Sequence, residues 1–221
     1  MKSRLLRPVT VLATLAMCGT GLVLGVAPAQ ADPGTVEALQ GAECPPNITQ
    51  GSTNTWCVDT LQYALQTLGF TLQMDGQFGP QTVAAVKWVQ TKAHLQSSSV
   101  GIDGQVGPVT KAWLVHFVEN RSIDLGQGCG LGLVAWPNSG SGTAQATISE
   151  YDTSGNDHCT GYLERSTDGG KNWNTVSSEH TESGTQSVTT YAYADNSGEL
   201  DKVCGQSVST TLVNGGCTDA F

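Results

Sequence analysis

A short segment that occurs twice is the strongest constraint on the fold of this chain. The run Asp75-Gly-Gln-Phe-Gly-Pro-Gln-Thr82 returns 28 residues later as Asp103-Gly-Gln-Val-Gly-Pro-Val-Thr110. In each copy the Asp-Gly pair predicts a turn, because glycine tolerates positive φ. In each copy the Gly-Pro pair predicts a helix start, because the fixed φ of proline suits the first helical position. The repeat therefore predicts two related turn–helix units.

The residues before the first copy predict a third helix. Four apolar residues recur at spacings of three and four, as on one face of a helix: Val58, Leu61, Leu65 and Leu68. Gly69 follows them as a helix stop. With the two helices of the repeat, this pattern predicts a small three-helix bundle over residues 55–124.

Composition changes after Asp124. Residues 125–129 are rich in glycine and predict a hinge, whereas residues 130–221 are rich in Thr, Ser, Gly, Val and Tyr. Short alternating runs predict strands at 143–148, 161–165 and 187–191. A region of about 90 residues with such strands suits a small antiparallel β-sandwich. The expected fold class is α plus β, with two domains.

The first 31 residues have the layout of a secretory signal peptide. Lys2, Arg4 and Arg7 precede a mostly apolar run, and Ala-Pro-Ala-Gln-Ala31 ends it. Cleavage after Ala31 would leave residues 32–54 as an irregular lead-in. It would also leave seven of the ten Lys and Arg against 19 Asp and Glu, a net charge of −12. Such an acidic chain argues against nucleic acids and anionic membranes as partners.

Cysteine usage also predicts export. Six cysteines remain after Cys18 leaves with the signal peptide: Cys44, Cys57, Cys129, Cys159, Cys204 and Cys217. An even number in an exported protein predicts three disulfides. We expect Cys44 to pair with Cys57 and the other four to pair among themselves, in an order that the sequence leaves open. A metal site at Cys159 and His158 is the alternative, but no Cys-x-x-Cys pair supports zinc, so we expect neither metal nor cofactor.

The helical segment carries a longer pattern. Its first part is Val58, Leu61-Gln62, Leu65, Gly69, Asp75-Gly76-x-Phe78-Gly79-x-x-Thr82, Ala85-Val86 and Val89-Gln90, and its second part is Leu95, Asp103-Gly104-x-Val106-Gly107-x-x-Thr110 and Leu114. This pattern, over residues 56 to about 118, resembles the peptidoglycan-binding domain of the three-helix type. The resemblance implies a non-catalytic module that holds a bacterial cell-wall enzyme or structural protein on peptidoglycan.

Most residues of the repeated motif have expected structural roles. Gly76, Gly79, Gly104 and Gly107 serve backbone geometry, and Thr82 and Thr110 are expected to satisfy groups in the first helical turn. A glycan-peptide ligand needs amide, hydroxyl and carboxylate partners in a shallow groove. The predicted ligand-binding residues are those at the turn tips: Asp75, Gln77, Asp103 and Gln105. Capping of the turns is the favoured alternative role for the two Asp side chains.

The second domain contains one recognisable motif. The run Ser166-Thr-Asp168-Gly-Gly170-Lys-Asn-Trp173 matches Ser-x-Asp-x-Gly-x-x-Trp, the Asp-box pattern. It predicts a β-hairpin turn in which Asp168 accepts backbone N–H groups, Gly170 relieves φ and Trp173 packs beneath. The surrounding stretch is similar to strands of fibronectin type III-like sandwiches. A structural turn is favoured over a functional site.

The chain offers no recognisable catalytic set, so we expect no catalytic residues. Only His158 and His180 lie in the second domain, too few for a zinc peptidase site. Disulfide pairing would consume the thiols that a cysteine peptidase needs. A lysozyme-type carboxylate pair stays open, although exposed strand and turn charges are the favoured interpretation of its candidates, Glu150, Asp152, Asp157 and Glu164.

The sequence therefore predicts a secreted non-catalytic cell-wall protein that binds peptidoglycan through its helical domain. One alternative is a peptidoglycan hydrolase with an unrecognised catalytic site in residues 130–221, since such binding domains often accompany hydrolases. The other alternative is a secreted inhibitor or interaction protein.

Overall fold

The computed structural model describes residues 35–137, 142–151, 157–209 and 212–221, and the predicted signal peptide lies outside this range. The described residues belong to one compact unit. A 3₁₀ helix precedes three α-helices: Val36–Gln40, α1 Thr55–Thr67, α2 Pro80–Gln96 and α3 Pro108–Glu119. The strands that follow are β1 Ser122–Gly126, β2 Cys129–Trp136, β3 Gly142–Glu150, β4 His158–Ser166, β5 Asn174–Thr175, β6 His180–Ser183, β7 Gln186–Thr189, β8 Tyr193–Asp195, β9 Leu200–Val208 and β10 Val213–Cys217. The fold class is α plus β, as predicted.

The helix boundaries follow from local sequence. α2 and α3 each begin at a proline directly behind a glycine, as the repeat predicts. α1 begins after Asn54, whose side chain accepts a hydrogen bond from the Cys57 N–H at 3.1 Å. After α1, Gly69 has φ +97°, which reverses the chain. Within the described residues, none of the helices has the length and apolar character needed to cross a membrane.

The segment before α1 is packed against the bundle. Val36, Leu39 and Ile48 are buried, and the backbone of Ile48 pairs with Val106 in the second repeated turn. A disulfide between Cys44 and Cys57 ties the segment to α1. These apolar residues enlarge the core of three short helices, so the part of the expected lead-in that the structure describes contributes to the fold.

The strands form two five-stranded antiparallel sheets. The first has the order β1-β2-β3-β7, with β8 also beside β3, and the second has the order β10-β9-β4-β5, with β6 also beside β4. Alternating side chains of β2, such as Leu131 and Leu133, are buried between the sheets. The Cys129–Cys159 disulfide joins β2 to β4 across the sandwich, and Cys204–Cys217 joins the neighbouring strands β9 and β10.

The stretch 125–129 is a hairpin turn where the sequence predicts a hinge. β1 continues to Gly126, and β2 begins at Cys129 as its antiparallel partner. The turn needs three successive positive φ angles, at Gly126, Gln127 and Gly128. The glycines of this stretch therefore serve a tight turn, and the first sheet begins before the expected boundary at residue 124.

The helical and β parts share a buried joint. Phe221 packs against Trp88 of α2 and Phe117 of α3, with ring centroids 5.2 and 4.9 Å apart. The backbones of the two parts also lie close together after α1. A Cβ added to Gly69 would lie 1.9 Å from the Ala135 carbonyl oxygen. The end of β2 thus lies directly against the turn that follows α1.

Candidate functional site

Each repeated turn is fastened by a buried glutamine from the preceding helix. In the first copy, the Gln62 amide nitrogen donates to an Asp75 carboxylate oxygen at 2.8 Å and to the Gln77 carbonyl at 3.1 Å. The Gln62 carbonyl oxygen accepts from the backbone N–H groups of Asp75 and Gly76 at 3.0 and 3.1 Å. One side chain therefore satisfies donors and acceptors on both sides of the turn.

The second copy repeats the arrangement. The Gln90 amide nitrogen donates to Asp103 at 2.9 Å and to the Gln105 carbonyl at 2.8 Å, and its oxygen accepts from the Gly104 N–H at 2.8 Å. Gln62 and Gln90 are themselves 28 residues apart. The repeat therefore extends back into the helix that precedes each turn.

The expectation for Thr82 and Thr110 was wrong. Neither α2 nor α3 has a side-chain hydrogen bond at its N-cap, which is a glycine in both cases. The two threonine hydroxyls lie instead within 3.4 and 3.2 Å of the Gln62 and Gln90 amide nitrogens. Both threonines lie inside the helix rather than at the N-cap, so they complete the contacts of the buried glutamines.

The four predicted ligand-binding residues lie at the tips of the turns, where all four are exposed. The Asp75 carboxylate also accepts from the Gln77 N–H at 2.9 Å, and the Asp103 carboxylate accepts from the Gln105 N–H at 2.8 Å. The Gln62 amide and the Gln77 N–H hold the pKa of Asp75 below its usual range, and the Gln105 N–H and the Gln90 amide do the same for the pKa of Asp103. Both carboxylates thus cap their turns, and Gln77 and Gln105 present their side-chain amides to solvent.

A groove opens beside the first turn. It has a volume of about 290 Å³, and six of its nine lining residues have polar side chains. The lining consists of Gln62, Leu72, Gln73, Asp75, Gln77, Gly79, Pro80, Gln81 and Thr82. A second cavity of about 200 Å³ lies between α2 and the segment after α1, and the two cavities share Leu72 and Gln81. The other residues that line the second cavity are Phe70, Thr71, Ala84, Ala85, Trp88 and Pro137. We call the two together the helical groove.

Two aromatic rings form the apolar end of the helical groove. Phe70 and Trp88 meet edge to face with their centroids 5.5 Å apart, and both remain half-buried. Pro137, from the end of the first sheet, completes this end. An apolar surface beside amides and a carboxylate is suited to a ligand with sugar rings and peptide groups.

The second turn is less open. A Cβ added to Gly107, just before α3, would lie 3.1 Å from the Asn47 side-chain oxygen, whereas the nearest atom at Gly79 is 4.0 Å away in its own turn. The segment before α1 therefore contacts the start of α3 and leaves the start of α2 accessible. Of the predicted residues, Asp75 and Gln77 line the helical groove.

The Asp168 turn joins β4 to β5 as a hairpin. Asp168 accepts from the backbone N–H groups of Lys171 and Asn172 at 3.1 and 2.9 Å. Gly170 has φ +85°, and the Trp173 indole N–H donates to its carbonyl at 3.0 Å. The Asn172 N–H and amide and the Ser166 hydroxyl lower the pKa of Asp168 to about 2. These contacts give each motif residue a role in the turn itself.

The carboxylates of the lysozyme-type alternative lie in different settings. Glu164 is paired with Lys202 at 3.2 Å. Glu150 is fully buried, which corrects the expectation of an exposed charge, because it lies on the same inward face of β3 as Ile148. Asp152 lies outside the described residues. Across the described ranges, no group of three or more His, Cys, Asp and Glu side chains is arranged to hold a metal ion.

Residues 58–114 match the family model described as Putative peptidoglycan binding domain. The predicted resemblance of the helical part to the peptidoglycan-binding domain is therefore confirmed. No curated protein and no solved structure matches the chain. The fibronectin type III-like resemblance of the β part therefore stays a prediction.

No motif in the sequence marks the apolar end of the helical groove. Phe70, Trp88 and Pro137 belong to none of the motifs on which the predicted site rests. Phe70 follows α1, Trp88 lies in α2 and Pro137 ends β2. The joint between the helical and β parts brings Pro137 to the two rings, and local periodicity carries no signal for such a contact.

Proposed function

We propose that this chain is a secreted, non-catalytic cell-wall protein that binds peptidoglycan through the helical groove. The observation that carries the proposal is that the family match coincides with an accessible groove whose lining combines amides, one carboxylate and two aromatic rings. N-acetylated sugars and stem peptides offer amides, hydroxyls and apolar ring faces, which this lining complements. The predicted signal peptide and the three disulfides support an oxidising, extracellular location.

The repeat provides a matched test of the groove. Ala84 is exposed on α2 and lines the groove, and Ala112 is the exposed residue 28 positions later on α3. Ala84→Trp would fill the groove without entering the core, whereas Ala112→Trp would place the same ring on the other unit. The protein without residues 1–31 is sedimented with purified, insoluble peptidoglycan, and the bound fraction is measured over a range of concentrations.

We expect Ala84→Trp to weaken binding by about tenfold or more, which corresponds to roughly 1.4 kcal/mol, and Ala112→Trp to bind like the unmodified chain. Equal binding by both variants would contradict the assignment of the groove. The supernatants are assayed for soluble peptidoglycan fragments. Release that depends on residues 130–221 would identify the chain as a hydrolase and would refute the non-catalytic part of the proposal.

A further inference from the structure

The outer face of the first sheet carries a shallow trough. Its volume is about 490 Å³, and its lining is Ser122, Ile123, Asp124, Gly128, Gly130, Leu131, Gly132, Val134, Thr147, Ser149 and Tyr151. Gly130 and Gly132 lie on the outward side of β2, opposite Ser149 and Thr147 of β3. Because these glycines have no side chains, the middle of the sheet lies lower than its surroundings. We call this surface the sheet trough.

Exposed aromatic side chains mark both ends of this face. Tyr151, 68 % exposed, follows β3, and its ring edge would lie 3.5 Å from a Cβ added to Gly130. Trp136, 43 % exposed, is six residues from Gly130, and Gly130, Gly132, Val134 and Trp136 alternate onto the same side of β2. At about 3.3 Å per residue this distance is roughly 20 Å, long enough for several linked sugar rings.

The chemistry of the sheet trough favours a neutral polyol. Its accessible side-chain hydrogen-bonding groups are mainly hydroxyls, from Ser122, Thr147 and Tyr151. The Ser149 hydroxyl is buried and lies 2.8 Å from the Ser187 hydroxyl. The single carboxylate, Asp124, already accepts the Gly126 N–H at 2.8 Å. The lining contains no Lys or Arg, and the chain has a net charge of −9. A polyanion would therefore be repelled, whereas aromatic rings beside hydroxyls are suited to sugars.

The sheet trough also adjoins the helical groove. Trp136 marks one end of the outward face of β2, and the next residue, Pro137, lines the groove beside Phe70 and Trp88. The end of β2 is fixed against the helical part, because Arg121 donates from Nε to the Leu133 carbonyl at 3.1 Å and from Nη1 to the Thr67 carbonyl at 2.8 Å. The two surfaces are therefore parts of one compact unit and meet at residues 136–137.

We propose that the sheet trough is a second binding site, for the neutral glycan strand of peptidoglycan. Tyr151 and Trp136 contact sugar rings, and the Thr147 hydroxyl of β3 bonds to a sugar between them. The identity of the polymer rests on the proposed function, whereas the site itself rests on the trough. Binding at two adjacent sites on one polymer would raise the overall affinity without a new contact at either site.

The test uses Tyr151→Ala, with Tyr191→Ala as the matched control, since Tyr191 is also in the β part and is 82 % exposed. The probe is a peptide-free glycan strand obtained by removing the stem peptides from peptidoglycan. Affinity is measured by calorimetry for the unmodified chain, both Tyr variants and Ala84→Trp. We expect Tyr151→Ala to weaken glycan binding by about tenfold or more and Tyr191→Ala to retain it. In Ala84→Trp, any contact between sugars and the helical groove is lost, and the contribution of Tyr151 remains.

Each other result has a definite meaning. If Tyr151→Ala binds the glycan strand like the unmodified chain, or if the unmodified chain does not bind it, the trough proposal is wrong. If Ala84→Trp abolishes binding to intact peptidoglycan while Tyr151→Ala changes neither probe, the helical groove stands and the trough fails. If Tyr151→Ala instead converts a dimer into a monomer in analytical ultracentrifugation, the occupant is a second copy of this chain and the proposal is overturned.

Discussion

The Lys92 ammonium lies 2.5 Å from a carboxylate oxygen of Asp195, and both side chains are buried. Lys92 belongs to α2 and Asp195 to β8, so the pair crosses the joint between the helical and β parts. The ammonium also donates to the Glu199 carbonyl at 2.6 Å and lies 4.5 Å from the centroid of the Trp88 ring. Burial raises the pKa of Asp195 to about 7 and lowers the pKa of Lys92.

Replacement of this lysine should destabilise the protein in a pH-dependent way. In Lys92→Met, Asp195 loses its buried cation, and its folded pKa rises further above the unfolded value. Between about pH 4 and the folded pKa, the folded state keeps a proton that the unfolded chain has released, so the stability of the variant falls as pH rises. We expect a loss of about 3–5 kcal/mol near pH 8 and a smaller loss near pH 5, measured by urea unfolding at both values.

Lys87→Met is the control for this experiment, because Lys87 is exposed on the same helix. It should change the free energy of unfolding by less than about 0.5 kcal/mol. A loss in Lys92→Met that is the same at both pH values would show that Asp195 does not take up a proton when its partner is removed.

Gly69→Ala should lower the free energy of unfolding by more than the positive φ of this residue alone would. Gly69 (φ +97°) and Gly51 (φ +81°) both disfavour a side chain. At Gly51 an added Cβ meets nothing within 4 Å, whereas at Gly69 it would lie 1.9 Å from the Ala135 carbonyl oxygen. We expect a loss of about 1 kcal/mol for Gly51→Ala and of about 2–4 kcal/mol for Gly69→Ala. Equal losses in urea unfolding would show that β2 moves away from the turn without cost.

The sequence predicted those parts of the fold that depend on neighbouring residues. The Asp-Gly turns and the starts of α2 and α3 are set by glycine and proline within the repeat, and the structure has them at the expected positions. The alternating runs of apolar and polar residues predicted the central parts of β3, β4 and β7. Glycine content, however, does not separate a hinge from a tight turn, so residues 125–129 were misinterpreted.

Features that depend on distant residues could not be predicted in this way. The role of Gln62 depends on a turn 13 residues away, although its 28-residue spacing from Gln90 was a signal within the sequence. The burial of Glu150 depends on which face of β3 packs inward. The apolar end of the helical groove depends on Pro137, which reaches Trp88 only because the two parts of the chain meet there.

Truncation of the buried glutamines should destabilise each repeated turn. Gln62→Ala removes hydrogen bonds to Asp75, Gly76 and Gln77 and leaves buried backbone groups without partners. At about 1 kcal/mol for each bond or unsatisfied group, we expect a loss of roughly 2–4 kcal/mol. We expect a similar loss of stability for Gln90→Ala. Gln73→Ala is the control and should change the stability little, because Gln73 is exposed. Native-state hydrogen exchange should show faster exchange at the Gly76 N–H in Gln62→Ala only. Uniformly faster exchange would contradict a local role.

Asp168 should contribute stability that is lost in acid. Its folded pKa, about 2, lies below the ordinary value of 3.8, because the Asn172 backbone and side chain and the Ser166 hydroxyl bond to the charged carboxylate. The folded state therefore binds its proton less readily than the unfolded chain, so this contribution is complete above about pH 4 and disappears as pH falls towards 2. Asp168→Asn should be less stable than the unmodified chain at about pH 6, and the difference should shrink through that window. Urea unfolding at several pH values, with the exposed Asp219→Asn as control, measures the difference. A difference that is constant with pH would mean that the charge of Asp168 does not hold the β4–β5 turn.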